Sequence, residues 1–326
     1  MLRLPRLRYL EPKTAREAAV MAADLGPKAI FVAGGTDLFP NLKRRQFEPE
    51  ALIGLGGLEG LRGASATRLG ALTTLADAAA DPAVVAAHPG YAEAAGQVSS
   101  PPLRNVGTIG GNLCVDTRCN YYNQTHEWRH AAGFCMKKDG DICLVAPGSP
   151  RCWAVSSSDT APMAIALGAT VMLAGPDGER ELPAAALYQD DGIDYLAKQA
   201  HEVLTALELP PAGDIASAYV KLRRRGSIDF PIAGAAVALR FDGDVVRDAR
   251  IVLSAVASHP VEAIEASRFL EGKTLDRETA MEASTQAARP AKPLDNADLN
   301  HFWRKRMVNV VVERALLTAA ERRKVG

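Results

Sequence analysis

The sequence predicts an α+β fold in two parts. Toward the amino terminus, short apolar strands alternate with alanine-rich helices, as where a helix ending near Leu25 is followed at once by the apolar run Ala29–Ala33. Toward the carboxyl terminus, three strand-like segments follow one another, and the Asp242-Gly243 pair between two of them is typical of a hairpin turn. We therefore predict an alternating first part and a second part with an antiparallel meander and helices.

Caps, apolar runs and turn residues place the elements of the first part. Thr14 is a suitable helix cap, Gly26 is a suitable stop signal, and Pro176-Asp177-Gly178 predicts a hairpin. The predicted helices span residues 14–25, 74–80, 82–87, 91–98 and 159–167, with another helical segment beginning in 34–38, and the predicted strands span residues 29–33, 51–55, 67–71, 169–173 and 179–182.

The second part begins after Pro210-Pro211-Ala212-Gly213, a segment typical of a domain boundary. We predict one domain at 1–212, with two subdomains at about 1–55 and 56–212, and another at 213–326. Within the second domain, the predicted strands span residues 216–223, 233–241 and 245–255, and the predicted helices span residues 260–270, 276–288 and 299–320.

Composition argues against nucleic acid and membrane as partners. The chain has 326 residues, and its 38 Lys and Arg balance its 38 Asp and Glu, so no net charge attracts it to polyanions. The longest apolar stretch, at about 161–174, is too short to span a bilayer and is interrupted by Pro162 and Gly168. No signal peptide is evident at the amino terminus, which predicts a cytoplasmic protein with reduced thiols.

Four of the five cysteines, Cys119, Cys135, Cys143 and Cys152, fall in one polar loop with little apolar periodicity. A reducing compartment disfavours disulfides. Structural zinc usually uses paired cysteines two to four residues apart, whereas the separations here are 16, 8 and 9 residues. An iron–sulfur cluster is also held by four thiolates, so spacing leaves zinc, an iron–sulfur cluster and inert thiols as alternatives. Cys114 is expected to be a buried packing thiol, and the nearby His88, His126 and His130 are expected to face solvent.

Two glycine-bearing turns are candidates for binding a diphosphate. They are Val32-Ala-Gly-Gly-Thr-Asp-Leu38 and Asn105-Val-Gly-Thr-Ile-Gly-Gly-Asn-Leu113. Glycines let backbone N–H groups approach a ligand closely, although a strand followed by Gly-Gly is more often an ordinary turn. Neither segment has the Gly-x-Gly-x-x-Gly or Walker A spacing.

The order of four motifs gives the chain a family resemblance. They are Ala33-Gly-Gly-Thr-Asp-Leu38, Arg104-Asn-Val-Gly-Thr-Ile-Gly-Gly-Asn-Leu113, Ser158-Asp159 and Tyr219-Val-Lys-Leu-Arg-Arg-Arg225. This combination resembles the FAD-binding subunits of molybdenum hydroxylases, the family that includes xanthine dehydrogenase and carbon monoxide dehydrogenase. The resemblance implies a two-part FAD-binding domain of the vanillyl-alcohol-oxidase (PCMH) type, followed by an α+β domain of the CO dehydrogenase flavoprotein type.

The cysteine loop, at about 115–157, is an insertion relative to most of that family. In this respect the chain resembles the β subunit of 4-hydroxybenzoyl-CoA reductase, which carries a [4Fe–4S] cluster beside its FAD. That resemblance implies that Cys119, Cys135, Cys143 and Cys152 ligate such a cluster.

The family resemblance also implies roles for individual residues toward FAD. Asp159 would accept hydrogen bonds from flavin hydroxyls, although it could instead be a helix cap, and Lys221 would lie near the flavin ring, although it could instead be a solvated strand lysine. The residues expected to wrap the diphosphate and ribityl chain are Val32, Ala33, Gly34, Gly35, Thr36, Asp37, Leu38, Thr108, Gly110, Gly111 and Asn112.

The resemblance implies an electron-transferring oxidoreductase subunit. Molybdopterin and [2Fe–2S] clusters would lie on a large and a small partner subunit, in an (αβγ)2 heterohexamer. Electrons from reduced ferredoxin would pass through [4Fe–4S] and FAD to molybdenum, where 4-hydroxybenzoyl-CoA is dehydroxylated to benzoyl-CoA in aromatic degradation. The alternatives are a FAD subunit of a xanthine, aldehyde or CO type of enzyme, and a non-catalytic assembly module stapled by zinc.

Overall fold

The computed structural model describes residues 3–323 and confirms the α+β class. The helices are α1 (Ala15–Leu25), α2 (Leu38–Lys43), α3 (Leu75–Ala80), α4 (Pro82–Ala87), α5 (Pro89–Gly96), α6 (Pro101–Arg104), α7 (Ile109–Leu113), α8 (His126–Ala131), α9 (Thr160–Leu167), α10 (Ile264–Leu270), α11 (Arg277–Ala287) and α12 (His301–Glu321). The strands are β1 (Arg8–Leu10), β2 (Ala29–Val32), β3 (Ala51–Gly54), β4 (Arg68–Gly70), β5 (Thr170–Gly175), β6 (Gly178–Pro183), β7 (Val203–Glu208), β8 (Ala216–Leu222), β9 (Ala233–Asp242), β10 (Val245–Ser254) and β11 (Val261–Glu262).

A small parallel sheet opens the chain. Its order is β1-β3-β2, and helix α1 packs beside it through the alanines Ala18, Ala19 and Ala22. The Thr14 hydroxyl accepts a hydrogen bond from the N–H of Glu17, which caps α1 as the sequence predicts. Strand β2 lies at one edge of this sheet and ends at the buried Val32, where the first glycine turn begins.

The middle of the chain forms an antiparallel sheet of order β4-β7-β5-β6. Helix α9 packs in the same core, and all eight of its residues are buried. A helix that is apolar on every side must be enclosed by protein, so α9 is the central helix of this part. Its amino-terminal end is consequently fixed, and Asp159 lies there.

The carboxyl-terminal part is an antiparallel sheet of order β11-β10-β9-β8 with helices α10, α11 and α12 against it. Helix α12 carries the fully buried Arg304, whose guanidinium donates to three backbone carbonyl groups and thereby joins three segments of chain. Strand β8, which contains Lys221, lies at the edge of this sheet and also contacts α5 of the preceding part.

Most predicted elements are confirmed, with a few differences. Strand β7 was not predicted, and the predicted helix at 260–270 begins with the short strand β11 before α10 starts at Ile264. The expectation that His88 faces solvent is wrong: its side chain is fully buried, and its Nε2 lies 3.0 Å from the carbonyl oxygen of Ala66. Among residues 3–323, no helix is long and apolar enough to cross a bilayer.

Candidate flavin and thiol sites

The two glycine turns lie against each other. A Cβ atom built on Gly34 would overlap the carbonyl oxygen of Val106 and would lie 3.1 Å from Cα of Gly107. Only a glycine allows this approach of backbone to backbone. The fold therefore brings together two motifs that are about seventy residues apart in the sequence.

The first turn has backbone donors available for a ligand. Within the described part of the chain, the N–H groups of Gly34, Gly35 and Thr36 have no hydrogen-bond acceptor. These three residues are half-buried, and Gly35 adopts a left-handed conformation with φ of 69°. Successive N–H groups around such a residue form a concave anion site. Of the two turns, this one has the geometry of a diphosphate cradle.

The second turn uses its N–H groups internally. Those of Ile109 and Gly110 donate to carbonyl groups in the segment after β4, at 3.0 and 2.8 Å, and that of Gly111 donates to Oγ1 of Thr108 at 3.1 Å. The N–H of Asn112 donates to the Thr108 carbonyl at 2.9 Å. This turn can offer a ligand a close backbone surface and the Thr108 hydroxyl proton, but not these four amides.

Asn112 fastens the second turn to helix α9. Its Oδ1 accepts hydrogen bonds from Oγ of Ser158 at 2.9 Å and from the N–H and Oγ1 of Thr160 at 3.2 and 2.7 Å. The predicted role of the Asn112 side chain toward FAD can thus involve only its amide nitrogen, since the oxygen is occupied by three donors.

Asp159, beside these residues, belongs to a buried polar triad. Its carboxylate accepts from the Tyr219 hydroxyl at 2.7 Å and from Nζ of Lys221 at 2.8 Å. Burial raises the pKa of Asp159 and lowers the pKa of Lys221, and the ion pair opposes both shifts. Lys221 also donates to the Gln97 carbonyl at 3.0 Å. The predicted flavin contacts of Asp159 and Lys221 remain predictions, because the two side chains are largely occupied with each other.

The four clustered cysteines converge on one cavity. Cys119, Cys135, Cys143 and Cys152 are each 4–8% exposed and line the same cavity, together with apolar residues of the loop. All five cysteines are free thiols, and Cys114 lies apart from the cavity, half-buried against the central core. The cavity therefore groups four cysteines and leaves out Cys114.

The thiol cavity is small. Its free volume is about 10 Å3, which is about the room that one water molecule needs. Among the described residues, no group of three or more His, Cys, Asp or Glu side chains is placed to hold a metal ion. The four donors match the thiolate set of a [4Fe–4S] cluster in kind, and all four lie on irregular segments outside the helices and named strands.

Burial makes two of these thiols poor acids on their own. It raises the pKa of Cys119 to about 12 and that of Cys152 to about 11, and neighbouring cysteines add to both shifts. Four thiolates in such surroundings require a compensating positive charge, which bound metal supplies.

One ion pair joins the cysteine loop to the first glycine turn. Arg118, which precedes Cys119, pairs with the carboxylate of Asp37, and its guanidinium lies 4.5 Å from the ring centroid of Phe230. A crevice of about 380 Å3 opens beside these residues, and Cys119 lines both the crevice and the thiol cavity. The thiol site and the first turn are therefore direct neighbours.

Sequence reasoning missed the charged residues of this region. Arg118, Asp116 and Lys137 lie in the loop without any recognisable motif, and their pairing is visible only in the folded chain.

Comparison with known proteins identifies the family. Residues 5–212 match the family described as the FAD binding domain in molybdopterin dehydrogenase, and residues 217–319 match the CO dehydrogenase flavoprotein C-terminal domain. The chain is a FAD-binding medium subunit of the molybdenum hydroxylase family. This medium subunit is 30% identical to the carbon monoxide dehydrogenase medium chain of Hydrogenophaga pseudoflava, over 97% of each chain.

Other relatives of the medium subunit agree. It is 31% identical to the FAD-binding subunit of an Escherichia coli aldehyde oxidoreductase, over 79% of this chain and 84% of the relative. A solved structure of carbon monoxide dehydrogenase from Hydrogenophaga pseudoflava, lacking the Mo-pyranopterin moiety of the molybdenum cofactor, superposes with a TM-score of 0.80 and 29% identity, covering 99% of this chain and 100% of that one. The predicted FAD-binding fold and the family are confirmed.

Proposed function

We propose that this medium subunit binds one FAD at the two glycine turns and transfers electrons within a molybdenum enzyme. The observation that carries the proposal is the unpaired set of N–H groups at Gly34, Gly35 and Thr36, backed by the second turn through Gly34 and Val106. These donors suit a diphosphate. Bound FAD would supply a centre that exchanges electrons singly or in pairs.

The partners in this proposal are a large molybdopterin subunit and a small [2Fe–2S] subunit, in an (αβγ)2 heterohexamer. A relative described as a medium chain supports an assembly with other chains. The substrate would be transformed on the large subunit. Because the relatives act on carbon monoxide and on aldehydes, oxidation of a small substrate of the CO, aldehyde or xanthine kind is the activity best supported.

A second candidate function is favoured by the thiol cavity. Four buried thiols around one cavity, beside the first glycine turn, are a donor set for [4Fe–4S]. With that cluster the subunit would relay electrons from a ferredoxin toward FAD and the partner centres, and the complex would reduce 4-hydroxybenzoyl-CoA to benzoyl-CoA. A zinc-stapled module without flavin is disfavoured by the family.

Cofactor content tests both candidates. The protein, purified without oxygen, should contain one FAD per chain, and about four irons with four sulfides per chain if the cluster is present. Cys143→Ala should lose iron and keep FAD, whereas Cys114→Ala, the matched control, should keep both. FAD without iron would leave only the hydroxylase function. Zinc in place of iron would identify the loop as a structural zinc site, and absence of FAD would refute the proposal.

Activity of the complete complex separates the substrates. The purified heterohexamer should be assayed for oxidation of carbon monoxide, aldehydes and xanthine with an artificial acceptor, and for reduction of 4-hydroxybenzoyl-CoA with reduced ferredoxin. Turnover in only one of these assays decides between the two candidates.

A further inference from the structure

Lys137 is a buried cation beside the four thiols. It follows Cys135 by two residues, lines the same cavity, and its side chain is only 6% exposed. Lysine is almost never buried to this extent unless it is paired. Its position therefore needs an explanation beyond packing.

Three acceptors hold the ammonium group. Nζ of Lys137 donates to Oδ1 of Asp116 at 2.7 Å, to Oγ1 of Thr117 at 2.6 Å, and to the carbonyl oxygen of Gly192. An ammonium group has three donors, so all of them are used. The ammonium group is thus fixed in position beside a carboxylate partner.

Of the two members of this ion pair, the lysine is the one at the thiol cavity. Lys137 lines the thiol cavity, whereas Asp116 does not. The ammonium also lies 4.8 Å from the ring centroid of Tyr122, which lines the cavity, and 5.4 Å from that of Tyr195. Tyr195 in turn donates to the carbonyl of Cys114, just after α7.

Such a charge affects the two oxidation states of a cluster differently. A [4Fe–4S] core with four thiolates is negatively charged, and reduction adds one more electron. A fixed cation nearby stabilises the reduced state more than the oxidised state, and the effect is large where water is excluded. Net charge, exposure and hydrogen bonding are the means by which proteins set such potentials.

We propose that Lys137 is a positioning residue that raises the reduction potential of a [4Fe–4S] cluster held by the four cysteines, and that Asp116 lowers it. The inference rests on the proposed cluster. It predicts opposite effects for the two members of one ion pair, which a merely structural role would not produce.

The test is a potentiometric titration followed by EPR on the complete chain, purified without oxygen. Lys137→Met should decrease the ratio of reduced to oxidised cluster at a fixed potential at least tenfold, which is about 59 mV for one electron. Asp116→Asn should increase that ratio, and Lys137→Arg, which keeps the charge, should stay close to the wild type. The matched control is Lys138→Met, because Lys138 is adjacent but does not line the cavity.

The outcomes separate this inference from the proposed function. If Lys137→Met loses its cluster, the opposite shift in Asp116→Asn and the retained potential in Lys137→Arg still decide the matter. Unchanged potentials, or shifts of the same sign in Lys137→Met and Asp116→Asn, would overturn the inference. If the wild type then still contains four irons per chain, the proposed cluster stands. A wild-type chain without iron would overturn the proposed cluster and the inference with it.

Discussion

Replacing Gly34 by alanine should weaken FAD binding without unfolding the chain. The added methyl group would overlap the Val106 carbonyl oxygen and lie 2.8 Å from the carbonyl carbon. Neither atom can rotate away, because both belong to the backbone of the second turn, which is tied through Gly110 to the segment after β4. The turns have to separate by about 1 Å, which is a case of overpacking.

The size of the effect follows from the cost of overpacking. One inserted methyl group in a tight contact costs about 1–3 kcal/mol. If the apo protein relieves this strain by separating the turns and the FAD complex has to close them, the cost appears in binding. Since about 1.4 kcal/mol is tenfold, the Kd for FAD should rise by roughly 5- to 150-fold.

Flavin fluorescence during titration of the deflavinated protein measures that Kd. The matched control is Gly56→Ala, because a Cβ at Gly56 meets no atom within 4 Å. Gly56→Ala should bind FAD as the wild type does. An unchanged Kd in Gly34→Ala would refute the idea that contact between the turns shapes the site, and a loss of folding seen by circular dichroism would show that the strain is not confined to the holo form.

Three further predictions concern buried charge. Lys221→Met leaves the carboxylate of Asp159 buried without its cation, so urea denaturation should show a loss of about 3–5 kcal/mol, with partial recovery in Lys221→Met/Asp159→Asn; equal stability of wild type and single variant would contradict this. Hydrogen bonds from Arg180 lower the pKa of Glu202 in the folded chain. The ionised Glu202 therefore stabilises the fold fully above its unfolded pKa of about 4.3, and this contribution is lost as the pH falls through its lower pKa in the folded chain. The Tm of Glu202→Gln should therefore decrease less than that of the wild type when the pH is lowered below about 4.3; parallel curves of Tm against pH would contradict this prediction. Arg304→Lys keeps the charge but not the planar fork that reaches three carbonyl groups, and should cost about 2–4 kcal/mol; an unchanged urea midpoint would contradict that.

Elements with local signals were predictable from the sequence. Helix α1 has its cap at Thr14 and its stop at Gly26, and the β5–β6 hairpin has its turn residues between the strands. Strand β7 has no such marker. It is held by pairing with β4, from which it is separated by more than 130 residues, and with β5. The short apolar run that forms β7 cannot be assigned to a strand from its own residues, because the strands that pair with it are distant in the sequence.

The candidate site shows the same division between residue type and arrangement. The glycine motifs indicated two candidate turns for a diphosphate, yet carbonyl groups after β4 accept from the amides of Ile109 and Gly110 and leave the first turn as the donor. Likewise, the cysteine spacing could not choose among zinc, a cluster and inert thiols. Lys137, which lines the thiol cavity, donates a hydrogen bond to the carbonyl of Gly192, 55 residues further along the chain. The sequence shows which groups can bind a ligand, but hydrogen bonds between remote backbone segments decide which of those groups remain available. The function of the cysteine loop therefore has to be tested by variants of the residues around the cysteines as well as of the cysteines themselves.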